Sequence, residues 1–282
     1  MSQQAVREWW NRNPMSYDVD APIGHPPGSP EYFRELDARI FHPRYMRLTV
    51  AAGDTRAFSR YVDFAALAGK DVLEVGCGSG IAVQLFAEAG ANVTAVDLTP
   101  WAVETTRARL DAFGLDGEVL EADGENLPFP DASFDVVFSW GVIHHTTDMA
   151  RALAELVRVC RPGGTVVLML YHRRSFFFVA YRALARFLPL ARRLGFHFEG
   201  ARRGEREGLI ARHFTRRQVE EMLAAHGLER IRVEPYGQDA ELLPLPRRVR
   251  LPITERIPER VKAPLLRRFG HQLAITAAKP AR

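Results

Sequence analysis

The hydrophobic pattern changes character at Asp71. From there to Tyr171, short apolar runs of strand length (DVLEV, ANVTAVD, GEVLEA, SFDVVFSW and TVVLMLY) alternate with longer stretches whose apolar residues recur at helical spacing (IAVQLFAEAG, WAVETTRARLDAFG and MARALAELVRVC). Runs of the first kind read as strands and stretches of the second as helices with one buried face. Their alternation predicts a parallel sheet wrapped by helices. RPGG at 161–164 predicts a helix stop followed by a sharp reversal. Further on, FTRRQVEEMLAAHG predicts a helix with Thr215 as N-cap and Gly227 just past its end. LERIRVEPY and HQLAITAAK predict the sixth and seventh strands.

Residues 1–64 follow no such alternation. Aromatics stand among polar residues (Trp9, Trp10, Tyr17, Tyr32, Phe33), and a turn-rich APIGHPPGSP precedes predicted helices at Pro30–Tyr45 and Val50–Phe64. This leader reads as a helical cap on a domain of residues 65–282, itself interrupted by insertions at about 172–210 and 237–268. The first insertion is apolar and basic. Arg182, Arg186, Arg192 and Arg193 fall inside it and Pro189 breaks it, which excludes a transmembrane span. Phe176, Phe177, Val179, Tyr181, Leu184, Phe187 and Leu188 suit either an interfacial helix over 175–194 in peripheral membrane contact, or a lid over an apolar acceptor pocket.

Composition narrows the class. With 47% hydrophobic and 26% charged residues over 282 positions, a sizeable core can form and wholesale disorder is excluded. Cys77 and Cys160 are too few for a disulfide framework or a zinc cluster and fit a reducing compartment. MSQQAVREWWNRNP lacks an apolar h-region, so the expectation is a cytoplasmic protein, with the inner membrane face within reach of 175–194. Charge is divided: −9 over residues 1–170 and +13 over 171–282. A basic third attracts phosphate-bearing substrates or anionic headgroups, or is simply an arginine-rich solvated surface. No RNA-binding or DNA-binding signature accompanies it, so nucleic acid is not expected as a partner.

The chemistry begins at VLEVGCGSG. A strand containing Glu74 runs into Gly76, Gly78 and Gly80, whose missing side chains let a ligand approach the backbone where a helix begins. Asp97, at the end of the second strand, can hold a ribose diol. A nicotinamide-dinucleotide reading is disfavoured on two counts. The third glycine of its fingerprint would be Ile81, and Glu74 would sit beside a pyrophosphate, whereas a cationic ligand tolerates it. EVGCGSG, Asp97 in AVDLTP, Asp123 in EADGENLPFPDASFDVV, the SWGVIHH segment and the LVRVCRPGG turn together resemble a class I S-adenosylmethionine-dependent methyltransferase over about residues 70–172. The chain is most similar to the small-molecule enzymes that include those of the ubiquinone and menaquinone pathways.

The resemblance implies a Rossmann-like α/β fold: a three-layer αβα sandwich with a seven-stranded, mostly parallel sheet whose last strand is antiparallel. It implies S-adenosyl-L-methionine as cofactor. Gly76, Cys77, Gly78 and Gly80 would floor its methionyl part, with Cys77 read as a small turn residue, and Glu74 would place the ammonium directly or through water. Asp97 would take the ribose hydroxyls and Leu98 would pack on adenine. Asp123 would accept from the adenine amino group, with the N–H of Gly124 facing the ring edge; an Asx-turn is the other reading of Asp123. Ser139 and Trp140 would line the methionyl side and offer a backbone carbonyl to the ammonium. Tyr17 in PMSYD resembles the Tyr-Asp pair of a segment that closes over the cofactor in related enzymes, or else it staples the leader to the core with Trp9 and Trp10. His145, with His144 as its alternative, is the candidate general base, since histidine is the side chain whose ordinary pKa suits proton transfer near neutrality. No grouping has metal-ligand spacing. The expected acceptor is a small or lipid-linked metabolite, methylated at oxygen rather than nitrogen or carbon. A C-methyltransferase of a quinone-like acceptor is one alternative, and a non-catalytic protein that binds S-adenosylmethionine or S-adenosylhomocysteine and regulates a partner is the alternative of a different class.

Overall fold

The computed structural model describes residues 2–14, 23–40, 47–176, 178–179, 210–237, 242, 252–254 and 256–281. Tyr17 and most of the 175–194 segment lie outside them.

The strands are β1 (Asp71–Val75), β2 (Asn92–Asp97), β3 (Glu118–Glu121), β4 (Phe134–Trp140), β5 (Cys160–His172), β6 (His213–Phe214), β7 (Glu229–Tyr236) and β8 (Gln272–Ala278). They form one sheet in the order β3-β2-β1-β4-β5-β8-β7, with β6 paired to the end of β5. β1 to β5 pair in parallel, and β8 runs antiparallel to both β5 and β7. The seven expected strands are thus present with the last one antiparallel, and the two-residue β6 is an addition. Neighbouring residues of one strand enter two separate cores. Val72 of β1 and Val167 of β5 pack on one face, while Leu73 and Val166 pack on the other. A strand covered on both faces must read as a continuous apolar run, which is what TVVLML does.

Among the described residues the α-helices are α1 (Gln3–Arg12), α2 (Pro30–Ile40), α3 (Ile81–Glu88), α4 (Pro100–Phe113), α5 (Met149–Val159), α6 (Arg216–Ala225) and α7 (Glu259–Phe269). α6 begins at Thr215 in a full capping box and is followed by Gly227 at φ 77°, as the sequence predicts. No helix among the described residues is long and apolar enough to cross a membrane. α2 is fastened to the core through α4. The fully buried Arg109 donates to both oxygens of Asp37, at 2.7 and 2.8 Å, and lies over the Phe33 ring. Removing Asp37 would leave the buried Arg109 without its counter-charge, at about 3–5 kcal/mol, whereas Asp37 is partly exposed and would be left nearer to water.

Three expectations are corrected. Residues 50–64 are turns rather than a helix, with 3-10 turns at Arg47–Thr49 and Phe64–Ala66. Gly53 adopts φ 83° and Phe58 φ 67°, and the Asp54 carboxylate takes the N–H groups of Thr55 and Arg56 in place of helical carbonyls. RPGG lies within β5 as an irregularity: the register passes from Phe134↔Cys160 to Val136↔Thr165, and Gly163 N–H turns to the carbonyl of Lys279. α1, unforeseen as a helix, is started by Ser2, whose hydroxyl accepts from Ala5 N–H, and it buries Val6 and Trp9.

Candidate functional site

Chain order reverses between β1 and β4. From β1 the chain builds outward through β2 to β3; from β4 it builds the other way through β5. In an open α/β sheet the crevice outside the carboxyl ends at such a point is where ligands bind. A cavity of about 330 Å³ lies there. Over β1–β3 it is lined by Glu74, Gly78, Asp97, Leu98, Asp123 and Gly124; beyond β4 its walls include Trp140, His145, Met169, Tyr171, Tyr236 and Gln272.

The glycine turn splits into two roles. A Cβ on Gly76 would lie 2.2 Å from a Val142 methyl, and one on Gly80 would lie 2.9 Å from the Thr106 hydroxyl, so these two glycines let the turn pack. A Cβ on Gly78 would meet nothing within 4 Å, and its space opens beside the cavity. Gly78 N–H donates to one Asp97 oxygen at 3.1 Å, and the N–H and hydroxyl of Thr99 donate to the other at 2.9 Å each. Cys77 is buried, and desolvation pushes its thiol well above the ordinary range, so it is no nucleophile and fits the turn-residue reading.

Glu74 is 4% exposed, and its Oε2 has no hydrogen-bond partner among the described residues. Burial holds its carboxyl well above the usual carboxylate range, and neighbouring Asp97 adds to the shift. A buried carboxyl oxygen left unpaired beside a cavity suits a ligand that brings positive charge. The donor set therefore fits a sulfonium amino acid joined to a nucleoside.

At the β3 end, Asp123 Oδ1 accepts Glu125 N–H at 2.8 Å, an Asx-turn, and also accepts from Gln3 Nε2 at 2.6 Å. The Thr147 hydroxyl donates to Glu125 Oε1 at 2.6 Å and lies 3.2 Å from Gln3 Oε1, and Arg7 is ion-paired with Glu121. Thus α1 lies across this end of the cavity. Gln3 was not anticipated, and a polar residue near a chain start carries no signal that would single it out. Trp140 lines the cavity, stacked on Phe138 at 5.5 Å. Ser139 does not: it is fully buried, and its hydroxyl donates to the Val75 carbonyl at 2.9 Å, tying β4 to β1. This corrects its expected place, because alternate strand residues face opposite sides of the sheet.

The two histidines separate in the same way. They sit in the 3-10 turn Ile143–His145 that follows β4. His145 lines the cavity, with its Nδ1 2.5 Å from the Ile210 carbonyl. A carbonyl only accepts, so Nδ1 carries the proton and Nε2 keeps its lone pair. Burial pushes its pKa down to about 4, which keeps the ring neutral at pH 7. His144 is fully buried, packed 4.1 Å from Tyr171, with neither ring nitrogen hydrogen-bonded among the described residues. It is not among the cavity-lining residues, so of the pair it is His145 that the fold brings to the site.

Residues 73–168 match the family described as a methyltransferase domain. A malonyl-[acyl-carrier protein] O-methyltransferase of Serratia marcescens is 40% identical over 99 residues, which is 35% of this chain and 37% of that protein. A ubiquinone biosynthesis O-methyltransferase of Thiobacillus denitrificans is 37% identical over 119 residues, 41% of this chain and 51% of that protein. The chain therefore aligns with about half or less of these relatives' own length. Among solved structures, the [4+2]-cyclase SpnF superposes with a TM-score of 0.58 at 18% identity, covering 100% of this chain and 97% of that one. A putative methyltransferase of Bacillus halodurans does so with a TM-score of 0.53 at 21% identity, covering 79% and 98%. Both share the fold.

Proposed function

We propose, from the premise that residues 73–168 are a class I S-adenosylmethionine-dependent methyltransferase domain, that the protein transfers a methyl group from S-adenosyl-L-methionine to an oxygen of a small or lipid-linked metabolite. The observation that carries this reading is the division of one cavity into a carboxylate-bearing half over β1–β3 and a half where His145 presents an unprotonated nitrogen. The cofactor supplies an electrophilic methyl on sulfur, to be displaced in line. In this reading Asp97 holds the ribose hydroxyls, Asp123 and Gly124 the adenine edge, Glu74 and the Gly76–Gly80 turn the methionyl end, and Trp140 the wall beside it.

The residues of the chain supply position and proton traffic. Holding the acceptor oxygen in line with the methyl carbon can itself remove on the order of 7–11 kcal/mol from the barrier. A hydroxyl is a poor nucleophile until its proton leaves, so a histidine with a free lone pair suits an oxygen acceptor. His145 takes that proton on Nε2 while the Ile210 carbonyl holds Nδ1–H and with it the tautomer. With its pKa held at about 4 by burial, His145 is a weaker base than an ordinary histidine, so its contribution lies at the low end of the usual range, about 10² in rate. Trp10 of α1, its ring 5.1 Å from His145, closes this corner against water. Contact with an anionic lipid surface or a lipid-linked acceptor is supported by Phe176 and Val179, 50% and 57% exposed, beside the exposed Arg173 and Arg174.

The test is incubation with methyl-labelled S-adenosylmethionine and matched panels of hydroxy, amino and carbon-acid acceptors, with products read by mass spectrometry. Label on oxygen is the expected result. Label on nitrogen or carbon alone would overturn the oxygen assignment, and tight cofactor binding without transfer would favour a regulatory protein. Co-sedimentation with anionic vesicles tests the lipid contact separately; loss of binding on deleting residues 175–194 supports it, and absence of binding ends it.

A further inference from the structure

Gln272 lies in the far wall of the cavity, away from the glycine turn. On β8 it pairs in register with Tyr171 of β5 on one side and with Tyr236 of β7 on the other. Partners in register present their side chains to the same face, and all three residues line the cavity. The Tyr236 ring lies 5.8 Å from Trp140 and the Tyr171 ring 5.4 Å from His145, so the row continues the aromatic wall that starts at the end of β4. Within that wall Gln272 Oε1 is closed off from solvent and has no hydrogen-bond partner among the described residues. A buried amide oxygen left unmet is costly, and such atoms in native proteins call for a reason.

We infer that Gln272 is a specificity residue of the acceptor subsite, where it reads a hydroxyl on a flat, uncharged ring at a position other than the reacting oxygen. The inference rests on the methyltransferase reading above and deepens it by naming an acceptor class. A hydroxyl both donates and accepts, so it meets whichever end of the amide turns to the cavity. A carboxylate or phosphate would be buried without a counter-charge, because no lysine or arginine is among the described lining residues. A cationic donor would be buried away from a counter-charge, because the carboxylates among the described lining residues, Glu74, Asp97 and Asp123, belong to the other half. The spacing also fits. β8 is two strands from β4, about 10 Å at the usual strand separation, which one ring spans with a hydrogen bond at each edge.

The experiment uses the full chain loaded with S-adenosylhomocysteine and two probes, resorcinol and 3-methylphenol, which differ only in whether the second ring position carries a hydroxyl or a methyl. Dissociation constants are read by ligand-observed NMR. The expected result is a roughly tenfold preference for resorcinol, the size of one hydrogen bond made to an otherwise unmet partner. In Gln272→Met that preference falls towards one while affinity for S-adenosylhomocysteine stays within twofold, a pattern that a merely structural role would not give. Equal binding of the two probes by the wild type overturns the inference, as does an unchanged preference in the variant, or failure of both probes to bind while S-adenosylhomocysteine does. The wild-type comparison needs no variant, so it decides the matter even if Gln272→Met does not fold. Failure of S-adenosylhomocysteine itself to bind would bring down the cofactor reading instead.

Discussion

The two halves of the cavity are built by different means. The half over β1–β3 is made from three short turns, each directly following a strand: the glycine turn after β1, Asp97 to Thr99 after β2, and Asp123 to Glu125 after β3. It is held by backbone N–H groups donating to carboxylates, and its acidic side chains await a ligand with donors and positive charge. The half beyond β4 is walled by side chains drawn from β4, β5, β7, β8 and the turn carrying His145, and it is aromatic and neutral. One half is suited to a ligand of fixed shape, while the other is set by whichever side chains the strands present. Binding of the nucleoside and choice of the acceptor should therefore be separable by mutation.

The sharpest attempt to break that separation is His145→Ala. Turnover at saturating cofactor should fall by about 10²-fold, with the affinity for S-adenosylhomocysteine within twofold of wild type, as read by steady-state kinetics and calorimetry. A comparable fall in cofactor affinity would mean that the halves are not independent. Asp97→Ala is the reciprocal test. It releases Gly78 N–H and, in the proposed arrangement, removes the carboxylate that would hold the ribose, so the affinity for S-adenosylhomocysteine should drop on the order of 10²-fold in calorimetry.

Acid and base should act on the two halves in opposite directions. His145 and His271 are held at pKa values of about 4 and about 3 by burial, below the ordinary 6.5, so the native state binds fewer protons than the unfolded one. Their contribution is intact above about pH 6.5 and is lost as pH falls towards 4, by roughly 1–3 kcal/mol for each. Glu74 is raised, so the native state holds a proton that the unfolded state gives up, and stability falls as pH rises through and above the usual carboxylate range. Thermal melts across pH 4–8 should show the acid slope shrink in His145→Gln and the opposing slope shrink in Glu74→Gln. The smallest effect belongs to Gln3→Ala. With the bridge from α1 to Asp123 and Thr147 gone, cofactor should bind two- to fivefold more weakly by calorimetry. Tighter binding would show instead that Gln3 competes for Asp123.

The same contrast explains how much was legible in the sequence. The strands other than β6, α3–α6, the glycine turn, Asp97 and Asp123 each declare themselves within a dozen residues, because a strand, its turn and the next helix are contiguous in the chain. The acceptor wall has no local motif: Trp140, Tyr171, Tyr236 and Gln272 meet only because β4, β5, β7 and β8 become neighbours in the sheet. Adjacent His144 and His145 are alike in sequence, and only the turn after β4 sends one to the cavity and the other into the core. Ser139 was misplaced for a related reason, since a one-residue step along a strand reverses the face. Residues 50–64 were misread because apolar spacing alone does not register Gly53 and Phe58 at positive φ.

The central claim is that the carboxylate half holds a sulfur nucleoside. Calorimetric titration of the purified protein with S-adenosylmethionine, S-adenosylhomocysteine and NADH side by side tests it most directly. The account predicts micromolar binding of the two sulfur nucleosides and none of NADH; binding of NADH alone, or of none of the three, would contradict it.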